Sequence, residues 1–222
     1  SLKTRFGNTG NILDFENLTE DNIYVLESPV LSNSQFEKFK IFFNKKIKVL
    51  DCTFKINQNL KERLDELRFE AEIAVREGGR HLILSDKEVN EKKVPVPMAL
   101  AIGAINSRLV NLGIRGFASI NVETSEVLDT HSFAVLLGVG ATTINSYIAF
   151  DSIFQRYEKK LFNKLNFEEC IHRYIKSTEN GLLKIMSKMG ISVLSSYRGG
   201  CNFEAVGLSR SVVAEYFPGM IS

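Results

Sequence analysis

Residues 47–86 read IKVLDCTFKINQNLKERLDELRFEAEIAVREGGRHLILSD, and this stretch decides the fold. Ile47-Lys48-Val49-Leu50 is a short apolar run that ends at Asp51, the length and texture of a buried strand. Leu60, Leu64, Leu67, Ala71, Ala74 and Val75 then recur at three- and four-residue steps. That spacing puts them on one face of a helix, and Gly78-Gly79 closes it. Leu82-Ile83-Leu84 is the next buried strand, ending at Ser85-Asp86. Strand, helix and strand in such close succession form the βαβ unit of a parallel sheet.

The same rhythm continues downstream. Pro95 and Pro97 lead into a helix through Leu100, Ala104, Arg108 and Leu112, closed by Gly113. Residues 117–122 read as a third strand, residues 130–137 as a helix closed by Gly138, and residues 141–144 as a fourth strand. Four strands alternating with helices predict α/β architecture with parallel, right-handed βα units. An open doubly wound sheet and a β/α barrel both fit this pattern. Residues 151–189 are expected to be mostly helical, interrupted near Asn180-Gly181. Residues 191–195 read as another strand, Arg198-Gly199-Gly200 as a loop, and residues 212–217 as a closing helix before Pro218-Gly219. Upstream, residues 1–30 have no hydrophobic period and are expected to form an extended N-terminal segment, leaving 31–222 as a single α/β domain. Ser32-Asn33-Ser34 supplies an N-cap for a helix carrying Phe36, Phe39, Ile41 and Phe42.

Composition narrows the function. Hydrophobic residues make up 44% and charged residues 24% of the 222, the balance of a packed globular chain. The net charge of +2 comes from scattered basic residues, which argues against a nucleic-acid footprint. No apolar run approaches the roughly 18–20 residues of a membrane helix, and no signal-peptide pattern opens the chain. A cytoplasmic protein is expected, and the start at Ser1 rather than Met suits a segment of a longer one. Cys52, Cys170 and Cys201 are odd in number and lack a C-x-x-C pair, so reduced, buried thiols are expected.

In parallel α/β folds ligands gather at the carboxyl ends of the strands. Those ends carry Asp51, Ser85-Asp86, Glu123-Thr124 and Asn145-Ser146. Asp51, Asp86 and Glu123 could hold a metal or act as acid and base in a free-standing enzyme. The favoured alternative is that the strand-end polar residues cap the helices that follow. Gly138-Val139-Gly140-Ala141 follows a helix and precedes a strand, so Gly138 and Gly140 are expected to be structural turn glycines, not a dinucleotide loop. His81, His131 and His172 lie far apart, without ligands at metal spacing; His131 is expected to be partly buried and hydrogen-bonded. Ser195-Ser196 lacks a nucleophile elbow. Lys184, Lys188 and Arg198 lie near glycines and could meet phosphate, although a solvated helix end is the commoner arrangement. The residues alone give no complete catalytic constellation.

Several stretches together resemble glutamate synthase. Glu27-Ser28-Pro29-Val30-Leu31-Ser32 is similar to that family's SPvLs segment. Glu70-Ala71-Glu72-Ile73-Ala74-Val75 followed by Leu82-Ile83-Leu84-Ser85-Asp86 resembles its eAe-Av and liLSDr signatures. Thr130-His131-Ser132-Phe133-Ala134 and Gly138-Val139-Gly140-Ala141 resemble its vHhFAxLiGyGA run. The longest match is Lys184-Ile185-Met186-Ser187-Lys188-Met189-Gly190-Ile191-Ser192, continuing through Ser196-Tyr197-Arg198-Gly199 to Phe203-Glu204-Ala205-Val206-Gly207-Leu208. The departures are Val139 in place of Tyr, Ser146 in place of Pro, and Gly200-Cys201-Asn202 in place of AQI.

The resemblance implies the central domain of the large subunit, a rudimentary relative of a flavin barrel. It favours a degenerate β/α TIM-barrel-like domain, with a helical C-terminal portion, over a flavodoxin-like sheet. It implies partners on the same polypeptide: a glutaminase domain before it and an FMN-binding synthase domain with an iron–sulfur cluster after it. A small subunit or ferredoxin joins through the parent enzyme, which takes electrons from NADPH or ferredoxin and makes L-glutamate from glutamine and 2-oxoglutarate. This chain itself is expected to bind no cofactor or metal, to supply no catalytic residue, and to help form the tunnel that carries ammonia between the two sites. Asn8, Thr9 and Asn11, small polar residues where the glutaminase domain should end, are the candidate tunnel or interdomain residues.

Overall fold

The computed structural model describes residues 1–7 and 23–222. Short strands β1 (Thr4–Phe6) and β2 (Tyr24–Leu26) pair antiparallel, with Phe6 opposite Tyr24. Helix α1 (Asn33–Phe43) starts on a capping box: the Ser32 hydroxyl accepts from the Gln35 backbone N–H, and the Gln35 side chain accepts from the Ser32 N–H.

The central sheet holds β3 (Ile47–Asp51), β5 (His81–Ser85), β7 (Ser119–Glu123) and β8 (Thr143–Asn145), all parallel. A two-stranded ribbon of β4 (Thr53–Lys55) and β6 (Lys93–Pro95) sits beside it. Helices α2 (Leu60–Arg76), α3 (Met98–Asn111) and α4 (Thr130–Gly138) are the crossovers. The strand order is β3-β5-β7-β8, which is also their order in the chain. A doubly wound sheet reverses direction at a switch point, whereas a β/α barrel adds each strand beside the last. The order therefore resolves the alternative that periodicity left open: the sheet is a four-stranded part of a β/α barrel.

Alternation along the strands divides the two faces. Leu50, Leu82, Leu84, Ile120, Val122 and Ile144 point outward and join the main core with Leu67, Ala71, Ile105 and Leu137 of the crossover helices. The opposite face carries His81, Ile83 and Asn121, and α1 covers it. Phe36 packs on Ile83 and Leu31, and the Phe43 ring lies 3.9 Å from the His81 ring, centroid to centroid. One helix thus seals part of the concave side.

The C-terminal portion is helical: α5 (Tyr147–Glu158), α6 (Phe167–Lys188), α7 (Leu194–Tyr197) and α8 (Arg210–Tyr216). It corrects two expectations. Helix α6 runs unbroken through Asn180 and Gly181, because Gly181 serves packing rather than a break. A Cβ there would lie 2.5 Å from the Thr130 methyl carbon at the start of α4. Residues 191–195 form no strand. Gly190, at φ +71°, ends the long helix, the Ile191 N–H caps the Met186 carbonyl, and Leu194 starts the short helix α7 with its N–H on the Ser1 carbonyl. A short apolar run carries the same signal whether it is buried as a strand or as a turn of helix. The third strand begins at Ser119 rather than 117, because residues 115–117 form a 3₁₀ turn.

Two further side chains are placed differently from expectation. Cys52 and Cys170 are buried thiols, but Cys201 is exposed, at φ +52°. His131 is exposed, its ring edge-on to Phe203 at 6.4 Å, because the N-terminal turn of α4 faces outward there.

Candidate functional site

The carboxyl ends of the four strands bring the sequence-derived acids to one rim, where the chain's own donors engage each of them. The Asp51 carboxylate accepts from the Thr53 hydroxyl at 2.7 Å and from Lys93 at 2.9 Å. Partial burial pushes its pKa up, but the Thr53 hydroxyl and the Lys93 ammonium outweigh that and hold it low. Asp86, fully buried, accepts from the Thr124 hydroxyl (2.7 Å), the Ser125 N–H (2.9 Å) and hydroxyl (3.0 Å), and the Tyr147 hydroxyl (2.9 Å). Glu123 accepts from Ser85 at 2.9 Å and pairs with Lys87 at 2.7 Å and Lys40 at 3.5 Å. Burial alone would raise its pKa; the Lys87 and Ser85 hydrogen bonds and the two ammonium charges keep it lowered.

None of these acids caps the helix that follows, which corrects the capping expectation. The capping carboxamides and carboxylate belong to Asn59, Asp129 and Asn166 instead. Helix α3 starts on Pro97, which has no side-chain cap, and there the Glu126 carboxylate reaches in from a loop to accept from the Met98 N–H at 3.0 Å. The strand-end side chains instead fasten the rim to other segments, because their partners lie on the ribbon, on α1 and α5 and in neighbouring loops. Asn145, for example, donates to the Leu31 carbonyl at 3.0 Å, and the Ser146 hydroxyl donates to the Val127 carbonyl. Among the described residues no three His, Cys, Asp or Glu side chains gather in a metal-binding group.

The glycine turn lies at the opposite end of the sheet. Gly138 is the last residue of α4, and a Cβ on it would meet the Phe203 ring at 2.4 Å. Gly140 has φ +131°, and a Cβ there would lie 2.8 Å from the Asn106 carboxamide. The Gly140 carbonyl accepts from Arg115 at 3.0 Å. Arg115 also donates to the Asn106 carboxamide oxygen at 2.6 Å and to the Ala118 carbonyl at 2.5 Å.

That guanidinium forms part of the wall of a cavity of about 650 Å³ at the amino ends of the strands. Arg5, Lys46, Arg80, Arg115 and Arg198 all line it, with His81 and Ser119, and among the described residues no carboxylate does. Burial holds Arg115 down to about pKa 10, with the nearby Arg198 charge adding to the effect. Sequence reasoning singled out Arg198 alone of these cations, and grouped it with Lys184 and Lys188, both exposed on α6 and absent from the cavity wall. The available signal was positional: Lys46 and Arg80 immediately precede β3 and β5, and in a parallel sheet such residues share one rim. Asn8, Thr9 and Asn11 lie outside the described residues.

The strand order, with one helix laid over part of the concave side, defines a partial β/α barrel. Its fold is similar to that of a mutant flavocytochrome b2 solved with benzoylformate, with a TM-score of 0.50 at 11% identity, over 85% of this chain and 44% of that one. The sequence profile of the glutamate synthase central domain matches residues 1–209, and the chain belongs to that family. It is 48% identical, over its whole length, to the glutamate synthase [NADPH] large chain of Azospirillum brasilense, and covers 15% of that relative. It is 39% identical, again over its whole length, to the chloroplastic ferredoxin-dependent glutamate synthase of Oryza sativa subsp. japonica, of which it also covers 15%. The chain thus spans about one-seventh of the length of these relatives, which are oxidoreductases of both donor types.

Proposed function

We propose that this chain is the linking domain of a glutamate synthase large chain, joining a glutaminase domain to an FMN-binding synthase domain and forming part of the ammonia tunnel between them. The parent enzyme makes L-glutamate from glutamine and 2-oxoglutarate in the cytoplasm. FMN and an iron–sulfur cluster sit in its other domains, and NADPH or ferredoxin serves as donor. Within it, residues 31–222 form the α/β unit and supply no catalytic group. Family membership supports the placement. One observation carries the non-catalytic reading: Asp51, Asp86 and Glu123, the acids an enzyme of this fold would use, are each tied to donors of their own chain. Among the described residues no helix is long and apolar enough to cross a membrane.

The tunnel part is tested in the full polypeptide with Asn8→Phe and Asn11→Phe, by measuring glutamine consumed against glutamate made. A tunnel wall does not tolerate added bulk, so glutamine hydrolysis continues while glutamate formation falls. A linker tolerates it, because its side chains can turn to water. Unchanged stoichiometry in both variants would remove these residues from the tunnel.

A further inference from the structure

The basic cavity lies at the amino ends of the strands, opposite the rim that carries the acids. Its five cations come from five separate segments, and among the described residues none has a carboxylate within ion-pair distance. Arg115 is fixed by hydrogen bonds to a carboxamide and two backbone carbonyls, which hold the guanidinium in place without neutralising it. Arg198 is half-buried, and its Nε–H is shielded from solvent with no hydrogen-bond partner. Arg80 stacks over the Phe117 ring at 5.7 Å, which keeps that guanidinium at the cavity mouth. Gathering like charges in a partly desolvated concavity is unfavourable, and an unpaired buried donor adds to the penalty. A bound anion relieves both at once.

We propose that this cavity is a binding site for a small anion of two or more negative charges, a phosphate or a dicarboxylate, with Arg115 and Arg198 as its principal contacts. The planar donor forks of arginine match the oxygen geometry of both groups, and the volume falls within the roughly 300–1,000 Å³ of small-molecule sites. His81 stays neutral beside Lys46 and Phe43, so the cations alone supply the charge.

The test is calorimetric titration of the full polypeptide with sodium phosphate and, separately, sodium succinate, at constant ionic strength set with sodium chloride. The wild type, Arg198→Gln and Arg173→Gln are compared. Arg173 is an exposed α6 residue paired with Glu169, so its variant makes the same charge change away from the cavity. Saturable binding of at least one anion is expected, weakened about tenfold or more by Arg198→Gln and unaltered by Arg173→Gln. Whichever anion binds more tightly identifies the ligand class. If Arg198→Gln does not fold, Arg80→Gln, an exposed position, makes the same comparison. Binding that is equal in the wild type and the cavity variant would overturn the assignment. So would the absence of saturable binding, the outcome expected if an acidic side chain from elsewhere in the polypeptide fills the cavity.

Discussion

At Gly140 backbone conformation and space act together. Its φ of +131° is one that L side chains rarely adopt, and the Asn106 carboxamide occupies the Cβ position. Gly140→Ala is expected to destabilise by about 1–3 kcal/mol in urea unfolding. Gly116→Ala, where a Cβ meets nothing within 4 Å, should stay within about 0.5 kcal/mol. His81 makes a second residue-scale prediction. Burial first, and Lys46 second, lower its pKa to about 4. In the unfolded chain the value is near 6.5, so on acidification unfolding takes up a proton that the folded state refuses. The stability contributed by neutral His81 is therefore complete above about pH 6.5 and is lost as pH falls towards 4, by about 2–3 kcal/mol at the bottom of that window. His81→Phe, which keeps the aromatic packing, should flatten the pH dependence of urea unfolding between pH 7 and 4.5. A wild-type slope unchanged by the substitution would contradict the assignment.

Among the elements, the four central strands and the crossover helices between 47 and 145 were legible because each has its own period and its own stop signal; the three-residue ribbon strands β4 and β6 are too short to show one. The long helix α6 was misread at Gly181 because a glycine in a sequence shows its freedom and hides its packing partner. The contact with Thr130 joins positions 51 residues apart (181 − 130) and leaves no local trace. Two effects compete there: alanine raises helix propensity by about 1 kcal/mol, and overpacking costs about 1–3. With a methyl carbon 2.5 Å away, overpacking wins. Gly181→Ala should lower stability by about 1–2 kcal/mol in thermal or urea unfolding. The same change made in a Thr130→Ala background should cost less or become stabilising. Equal losses in both backgrounds would show that α4 and α6 are not coupled through this contact.

For the whole molecule, sequence reasoning reached the α/β class and the parallel units, but the barrel-like strand order is a tertiary fact that no period encodes. The acids at Asp51, Asp86 and Glu123 were found at the correct rim, since strand ends are local features. Their engagement was not legible, because the partners Lys93, Ser125, Tyr147 and Lys40 come from a ribbon strand, a loop and two helices elsewhere in the chain. The basic cavity was missed for the same reason. The central claim is that the strand-end acids maintain the fold and do no chemistry. It is tested most directly by glutamine-dependent glutamate formation in the full polypeptide, per folded protein, for Asp86→Asn and Glu123→Gln, with Tm measured on the same samples. Both variants should lose stability on the order of 1–3 kcal/mol, since buried hydrogen-bond donors lose their acceptor charge, while turnover stays within about twofold of the wild type. A fall in turnover of about a hundredfold at unchanged Tm, the signature of a lost general acid or base, would contradict the account.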